Sequence, residues 1–361
     1  MTITLDKIAS STARLALPRE VEISPHIEAK EGNVLAVRAL MEKSVYDRLE
    51  LVSGRMAKIN RGDVMAGTLG YRRALKGFVG VVPETIHVGD TIHVLNLGGV
   101  LGLCVGKNPE VGSPLEVEVL GAVLRDGKPV NILQSALPPR ASLGPCPPLV
   151  VVAGTCMSAG KTGAASEIVK RFASAGHRVA AAKLSGVACL KDTLDMEDHG
   201  AFATLSFLDC GLPSTAHVRD LAPYARTILG ELASLAPDVI VVELGDGILG
   251  DYRVGTFFED PELTAATKAV VMCANDLVAA WGAQKLMEQW GIPITIVSGP
   301  VTDNQTGTEY ISQEMKLPAA NAKTDGRQLF GVIYEAIHRD AAPASPAPGG
   351  SKSDAPAGSP R

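Results

Sequence analysis

Two styles of hydrophobic patterning divide the chain. In the C-terminal half the apolar residues come in short continuous runs, at 149–153, 178–183, 238–244, 269–273 and 293–298. Runs of that length without alternation suit strands buried on both faces of a parallel sheet. Between and after them, helical spacing of apolar residues predicts helices over 160–174, 221–235, 277–290 and 326–339, the first closed by Ala175-Gly176. Strand and helix alternating in this way predict a doubly wound, mostly parallel α/β domain. In the N-terminal half the apolar runs at 33–39, 77–82, 91–95, 101–105 and 115–123 are broken by turn pairs at Gly62-Asp63, Gly89-Asp90 and Asp126-Gly127. Thr91-Ile92-His93-Val94 alternates, so one face of that strand is expected to be wet. A smaller β-rich barrel or sandwich follows, with a short helix expected over 41–51.

The boundary between the halves is a proline cluster. Pro138, Pro139, Pro145, Pro147 and Pro148, with Gly144, cannot continue a helix or a central strand. The expected organisation is a polar lead-in over 1–18, the β-rich domain over 19–140, a proline-rich linker over 141–148 and the α/β domain over 149–340. A tail over 341–361 of Ala, Pro, Ser and Gly is too poor in apolar residues to form a core and is expected to be disordered.

Length and composition agree with this division. At 361 residues the chain exceeds one ordinary core, and aromatics are only 4%, so Val, Leu, Ile and Ala must supply the packing. A net charge of -5 argues against a nucleic-acid or anionic-membrane partner held by bulk electrostatics. The six cysteines show neither zinc-knuckle nor CxxC spacing and read as reduced thiols. The N-terminus lacks a secretory pattern, and no apolar run approaches the ~20 residues of a membrane span. A cytoplasmic protein is expected, with a small-molecule substrate as its partner and room for a homodimer.

One segment carries clear chemistry. Gly154-Thr155-Cys156-Met157-Ser158-Ala159-Gly160-Lys161-Thr162 follows a buried strand and opens a helix. The usual phosphate loop is G-x-x-x-x-G-K-[ST]. Here the first glycine stands one place earlier, at Gly154 instead of position 155, so the loop is a variant. Its glycines let backbone N–H groups turn inward around phosphate oxygens, and the helix N-terminus adds partial positive charge. Gly154, Thr155, Ser158, Ala159, Gly160, Lys161 and Thr162 are the expected nucleotide contacts. Lys161 should reach the β- and γ-phosphates and Thr162 should hold Mg²⁺. Cys156 reads as an ordinary loop residue.

Further candidates should meet this loop at the C-terminal ends of the strands. Lys183, ahead of Leu184-Ser185-Gly186, is placed to pair with a phosphate or an anionic substrate. The stretch 192–199 holds four carboxylates, Asp192, Asp195, Glu197 and Asp198, followed by His199; one or two of the carboxylates could complete a Mg²⁺ shell, and His199 is a weaker candidate base. Glu243, at the end of an apolar strand and before Gly245-Asp246-Gly247, holds the Walker-B position in outline and could touch Mg²⁺ or its waters; Asp246 could do so instead, or contact substrate. Asn275-Asp276 and Asp303-Asn304 follow later strands, where Asn275 and Asn304 could face a base. In the β-rich half no motif bears chemistry. Arg72-Arg73 reads as a solvated surface pair with some capacity for an anion, and His87 and His93 read as structural.

Over about half the chain, from Pro147 to near Asn304, the pattern resembles the dethiobiotin synthetase-like branch of P-loop proteins. Residues 154–162 reproduce its G-T-x-x-x-x-G-K-T loop, and residues 183–186 partly reproduce its K-P-x-x-x-G strand end. Residues 243–247 echo its E-G-x-G-G segment, with Leu244 and Asp246 standing where that pattern has glycines. The resemblance implies a Mg-ATP enzyme in which an Asp between the second and third segments joins the Thr and Glu on the metal. Asp198 is the nearest match, with Asp195 behind it. A related group of P-loop proteins, some described as amino-acid N-acyltransferases, is similar over the same stretch, but its usual N-terminal half is α/β. The partition-ATPase and nitrogenase-iron-protein branch carries an extra lysine five residues before the main one. That position is Cys156 here, which disfavours a switch of that design.

Three functions follow as expectations. The first is an ATP-dependent ligase or kinase that activates a small carboxylate or carbamate, with Lys161, Lys183 and Glu243 as catalytic residues and Thr162, Asp198 and Glu243 on Mg²⁺. The second is a nucleotide-dependent cofactor or metallocentre assembly or switch protein. The third is an acyltransferase whose loop holds the phosphates of coenzyme A or a nucleotide. The N-K-x-D motif by which GTP enzymes read their base is missing, which favours ATP.

Overall fold

A computed structural model describes residues 1–339. The tail expected over 341–361 lies outside the described residues. The main strands of the N-terminal half are β1 (Val34–Ala39), β2 (Val64–Leu69), β3 (Thr91–Val94), β4 (Val100–Lys107) and β5 (Leu115–Arg125). β5 pairs with β1, β1 with β2, β2 with β4, β4 with β3, and β3 returns to β5. The ring closes, so this half is a small barrel within a larger antiparallel-rich sheet.

Side-chain alternation sorts its residues. Leu35 and Val37 of β1 and Val117 and Val119 of β5 face one apolar cluster, whereas Val34 and Ala36 face another. A bulge between Val119 and Gly121 reverses the parity of β5, so Val123 joins the second cluster.

One expectation for this half is filled in and another corrected. The polar lead-in over 1–18, for which the sequence predicts no element, pairs with the strands that follow it. Thr2–Thr4 pairs with Glu20–Ser24, Lys7–Ile8 pairs with β2, and Leu5, Ala9 and Leu15 are buried. Pieces of two or three residues carry too little periodicity to read. The helix expected over 41–51 is absent; Arg48–Glu50 pairs instead with Met56–Lys58.

Residues 136–148 form neither strand nor helix. After them come β6 (Leu149–Gly154), α1 (Lys161–Ser174), β7 (Val179–Ser185), α2 (Lys191–Asp198), β8 (Ala203–Ser206), α3 (Ala222–Ala233) and β9 (Val239–Leu244). Two short helices, Gly255–Glu259 and Pro261–Ala266, lead to β10 (Thr267–Cys273). The half continues with α4 (Leu277–Gln289), β11 (Ile296–Ser298), α5 (Gln305–Gln313) and α6 (Gly326–His338). The sheet order is β8-β7-β9-β6-β10-β11 with every neighbouring pair parallel. Helices α1 and α6 cover one face and α3 and α4 the other. This is the doubly wound P-loop fold that the patterning predicts, preceded by a β-rich barrel. No helix among the described residues is long and apolar enough to cross a membrane.

The two halves share packing. Ala188, Phe207 and Leu208 of the α/β half enter the cluster of Leu5, Leu15, Phe78, Leu95 and Val100. Asn96 donates from Nδ2 to the carbonyl of Ala188 at 2.6 Å. Glu50, fully buried, accepts from the Leu190 N–H at 2.7 Å and from the Cys189 thiol at 3.2 Å. The barrel thereby fixes the segment that joins β7 to α2.

Candidate functional site

The strands β7, β8 and β9 lie on one side of β6, and β10 and β11 on the other, so the connections switch side there, and in such sheets the crevice at the carboxyl ends of the strands is where ligands bind. The loop 155–160 fills that crevice. Gly160 takes φ of 88°, a conformation that disfavours a side chain, and it aims the following N–H groups of α1 into the loop. Lys161 is the first residue of α1 and is only 5% exposed. Its ammonium donates to the Cys156 carbonyl at 2.8 Å, so the lysine lies across the mouth of the loop. Burial pushes its pKa down, and Glu243 opposes that shift.

β-strand alternation explains which carboxylate meets the loop. Val239 and Val241 of β9 face α1, and so does Glu243, while Ile240, Val242 and Leu244 face α3. Glu243 is 2% exposed and accepts from Thr162 Oγ1 at 3.0 Å. Its other oxygen, Oε2, is buried without a partner, as is the Thr155 hydroxyl. Lys183 stands opposite Glu243 in the register of β7 and β9, its ammonium 4.0 Å from the carboxylate. The loop after β9 packs so closely on β7 that a Cβ at Gly245 would run into the Ser185 carbonyl.

The carboxylate beside Lys183 is Asp192, to which the lysine is ion-paired. Asp198, expected on the metal from the resemblance, is exposed at the far end of α2. Asp195, the fallback, accepts from Ser166 on α1. The first turn of α2 lies nearest the end of β7, so only Asp192 of the four acids reaches Lys183. His199 turns back on the Asp195 carbonyl at 2.7 Å. The structure therefore brings Lys161, Thr162, Lys183 and Glu243 together and leaves Asp198 outside.

Cavities flank the loop on both sides. One, of about 290 Å³, is lined by Ser158, Gly160, Gly299, Pro300, Asp303 and Asn321. Asn304 does not line it; its side chain caps α5 by accepting from Gly307 N–H. Asn275 reaches the loop, donating to the Cys156 sulfur at 3.0 Å. The other cavity, of about 180 Å³, opens between the halves and is lined by Met157, Lys183 and Asp246 from the α/β half and by Tyr46, Arg72 and Asn96 from the barrel. Burial raises the Asp246 carboxyl above its usual range, against the pull of Lys161.

Sequence reasoning missed the barrel's share of this site. Arg72 is 4% exposed, not solvated; only Arg73 is exposed, paired with Asp251 at 2.8 Å. An arginine pair on a two-residue strand carries no local signal of burial.

No protein-family model matches the sequence, and no curated protein matches it. Among solved structures, the signal recognition particle receptor FtsY from Elizabethkingia anophelis aligns at 13% identity over 52% of this chain and 65% of its own, with a TM-score of 0.35. The 54 kDa signal recognition particle protein from Aeropyrum pernix, in complex with GDP, aligns at 17% identity over 54% of this chain and 49% of its own, with a TM-score of 0.35. A DUF1611 family protein from Anabaena variabilis aligns at 13% identity over 56% of this chain and 62% of its own, with a TM-score of 0.40. The match thus spans less than two thirds of each of these chains. The strand order and the phosphate loop, not these partial likenesses, define the fold.

Proposed function

We propose that the chain is a Mg-ATP-dependent enzyme that activates a small carboxylate or carbamate by phosphoryl transfer, as a ligase or kinase of the dethiobiotin synthetase-like kind. The observation that carries this reading is Glu243. A carboxylate with almost no exposure is bonded on one oxygen to the first-turn threonine of the loop helix, and its second oxygen has no partner. Such an orphan is costly unless something completes it.

The donor set fits magnesium, which binds through one or two carboxylates, a hydroxyl and substrate phosphates. Thr162 and Glu243 would hold the ion, which when bound neutralises charge on the β- and γ-phosphate oxygens. The chain's own groups supply the rest. The N–H groups at the start of α1 cradle phosphate oxygens. Lys161 exchanges the Cys156 carbonyl for the phosphates. Lys183, held between Asp192 and Glu243, faces the interdomain cavity and stabilises charge that develops on the transferring group. An acceptor carboxylate oxygen attacks the γ-phosphorus, the bond to the β–γ bridging oxygen breaks, and ADP leaves with that electron pair. An acyl phosphate remains and no proton moves. The cavity at Ser158, Pro300 and Asn321 lies on the opposite side of the loop, where it suits the nucleoside.

The test is incubation with MgATP and a panel of carboxylic and amino acids while ADP is followed. Substrate-stimulated ADP release that vanishes in Lys161→Ala is the expected result. Slow hydrolysis stimulated only by another protein would favour a switch. Retained coenzyme A binding without ATP binding would favour an acyltransferase. A Lys161→Ala variant with unchanged nucleotide affinity would remove the loop from consideration altogether.

A further inference from the structure

The interdomain cavity holds a buried cation that no carboxylate contacts, although Asp246 in the same lining feels its charge across the cavity. Arg72 is fixed by the Leu95 carbonyl through Nη1 and by the Tyr46 hydroxyl at 2.9 Å through Nη2. The guanidinium lies 5.4 Å from the centre of the Tyr46 ring and 5.9 Å from that of Phe78. Its Nε–H is buried without a partner, and among the described residues no carboxylate forms an ion pair with it. A charge removed from water is costly unless it is paired, and a planar guanidinium with free donors matches a carboxylate. The neutral oxygens that hold Arg72 orient it without neutralising it, and Asp246 acts on it only from beyond ion-pair distance, so the open contact on the guanidinium suits an anion.

Position argues for which anion. Arg72 lines the cavity on the Met157 and Lys183 side of the loop, whereas Ser158 and Gly160 line the cavity on the other side. A nucleotide seated along the loop with its base in the second cavity leaves the first to the acceptor. Its volume of about 180 Å³ exceeds slightly the ~150 Å³ that accommodates benzene, so it holds roughly six to eight non-hydrogen atoms. Asp246 shares the lining and disfavours a second negative group.

We propose that Arg72 is the anchor for the acceptor's carboxylate and that the acceptor is a short monocarboxylate bound between the barrel and the phosphate loop. This deepens, and rests on, the phosphoryl-transfer reading above. The barrel then supplies recognition and the α/β half supplies transfer chemistry.

The test measures binding and turnover separately. Propionate, butyrate, succinate and propionamide are titrated into the full chain, and a fluorescent ATP analogue reports nucleotide affinity. The wild type should bind propionate or butyrate more tightly than succinate and show no saturable binding of propionamide. Arg72→Gln should weaken the monocarboxylate at least ten-fold and leave nucleotide affinity within two-fold. Tyr46→Phe, which frees Arg72 without removing its charge, should give a smaller loss and guards against misfolding of the first variant. Unchanged monocarboxylate affinity in Arg72→Gln overturns the proposal, as does failure of the wild type to bind any monocarboxylate. A ten-fold loss of nucleotide affinity with acid binding intact would assign Arg72 to a phosphate instead and also overturns it. Arg72-dependent acid binding without ADP formation would retain this anchor while defeating the transfer reading. ADP formation with an unaltered KM for the acid in Arg72→Gln would do the reverse.

Discussion

Replacing Glu243 by Gln keeps the shape of the side chain and removes its charge. Opposing terms then change in the protein without nucleotide. Attraction to Lys183, 4.0 Å away, is lost, and at an effective dielectric of 20 it amounts to about 4 kcal/mol; attraction to Lys161 is lost with it. The desolvation cost of a carboxylate that is 2% exposed is also relieved, and that is several kcal/mol. The terms largely offset, so the unfolding free energy should fall by no more than about 2 kcal/mol. Nucleotide binding should respond differently. A charge-assisted contact contributes about 1.5–3 kcal/mol, so the gain in affinity on adding Mg²⁺ should shrink roughly ten- to hundred-fold. In EDTA the variant should bind a fluorescent ATP analogue at least as tightly as the wild type, because one negative charge beside the phosphates has gone. Titrations with Mg²⁺ and with EDTA, run on both proteins, measure the difference. A variant that keeps the full Mg²⁺ response, or that loses affinity equally in EDTA, would refute the assignment of Glu243.

Three other outcomes are expected. Gly245→Ala would force the loop after β9 away from the Ser185 carbonyl and should cost about 1–3 kcal/mol in chemical denaturation, with turnover falling further because Lys183 lies beside the same contact. Glu50→Ala would leave the Leu190 N–H unpaired and should cost about 2–3 kcal/mol, with faster hydrogen exchange at 186–192. Burial pushes the Glu31 carboxyl up to about 7, so it stays protonated in the folded protein where the unfolded chain, near 4.5, has already ionised. Its contribution is whole below about pH 4.5 and is lost as pH rises through 7. Glu31→Gln should therefore unfold with the wild type near pH 4 and be more stable near pH 8, by up to about 3 kcal/mol. Equal stability of the two proteins at pH 8 would count against this.

The α/β half was legible because its physics is local. Strands buried on both faces leave continuous apolar runs, and β6, β7, β9 and β10 fall within two residues of the runs that predict them. Glu243 could be found because a carboxylate at the end of such a run has nowhere to go but the crevice. The remaining site residues depend on contacts across the sequence. Arg72 is buried by Tyr46, Phe78 and the Leu95 carbonyl, and no window of the sequence contains them together with a pattern. That Asp192 and not Asp198 meets Lys183 follows from one geometric idea. The first turn of a helix that follows a strand lies nearest the strand's end, and the resemblance to a family motif obscured that. The short strands before residue 18 and at 203–206 were missed because so few residues define no period.

Ala188, Phe207 and Leu208 lie inside an apolar cluster built mostly by the barrel. The proline-rich stretch at 137–148 therefore marks a boundary of topology and not of cooperativity. Pulling the halves apart there would strip three α/β residues of their cover and expose the barrel side chains packed on them. The two halves should consequently melt in one transition, and either half made by itself would expose this shared apolar cluster to water.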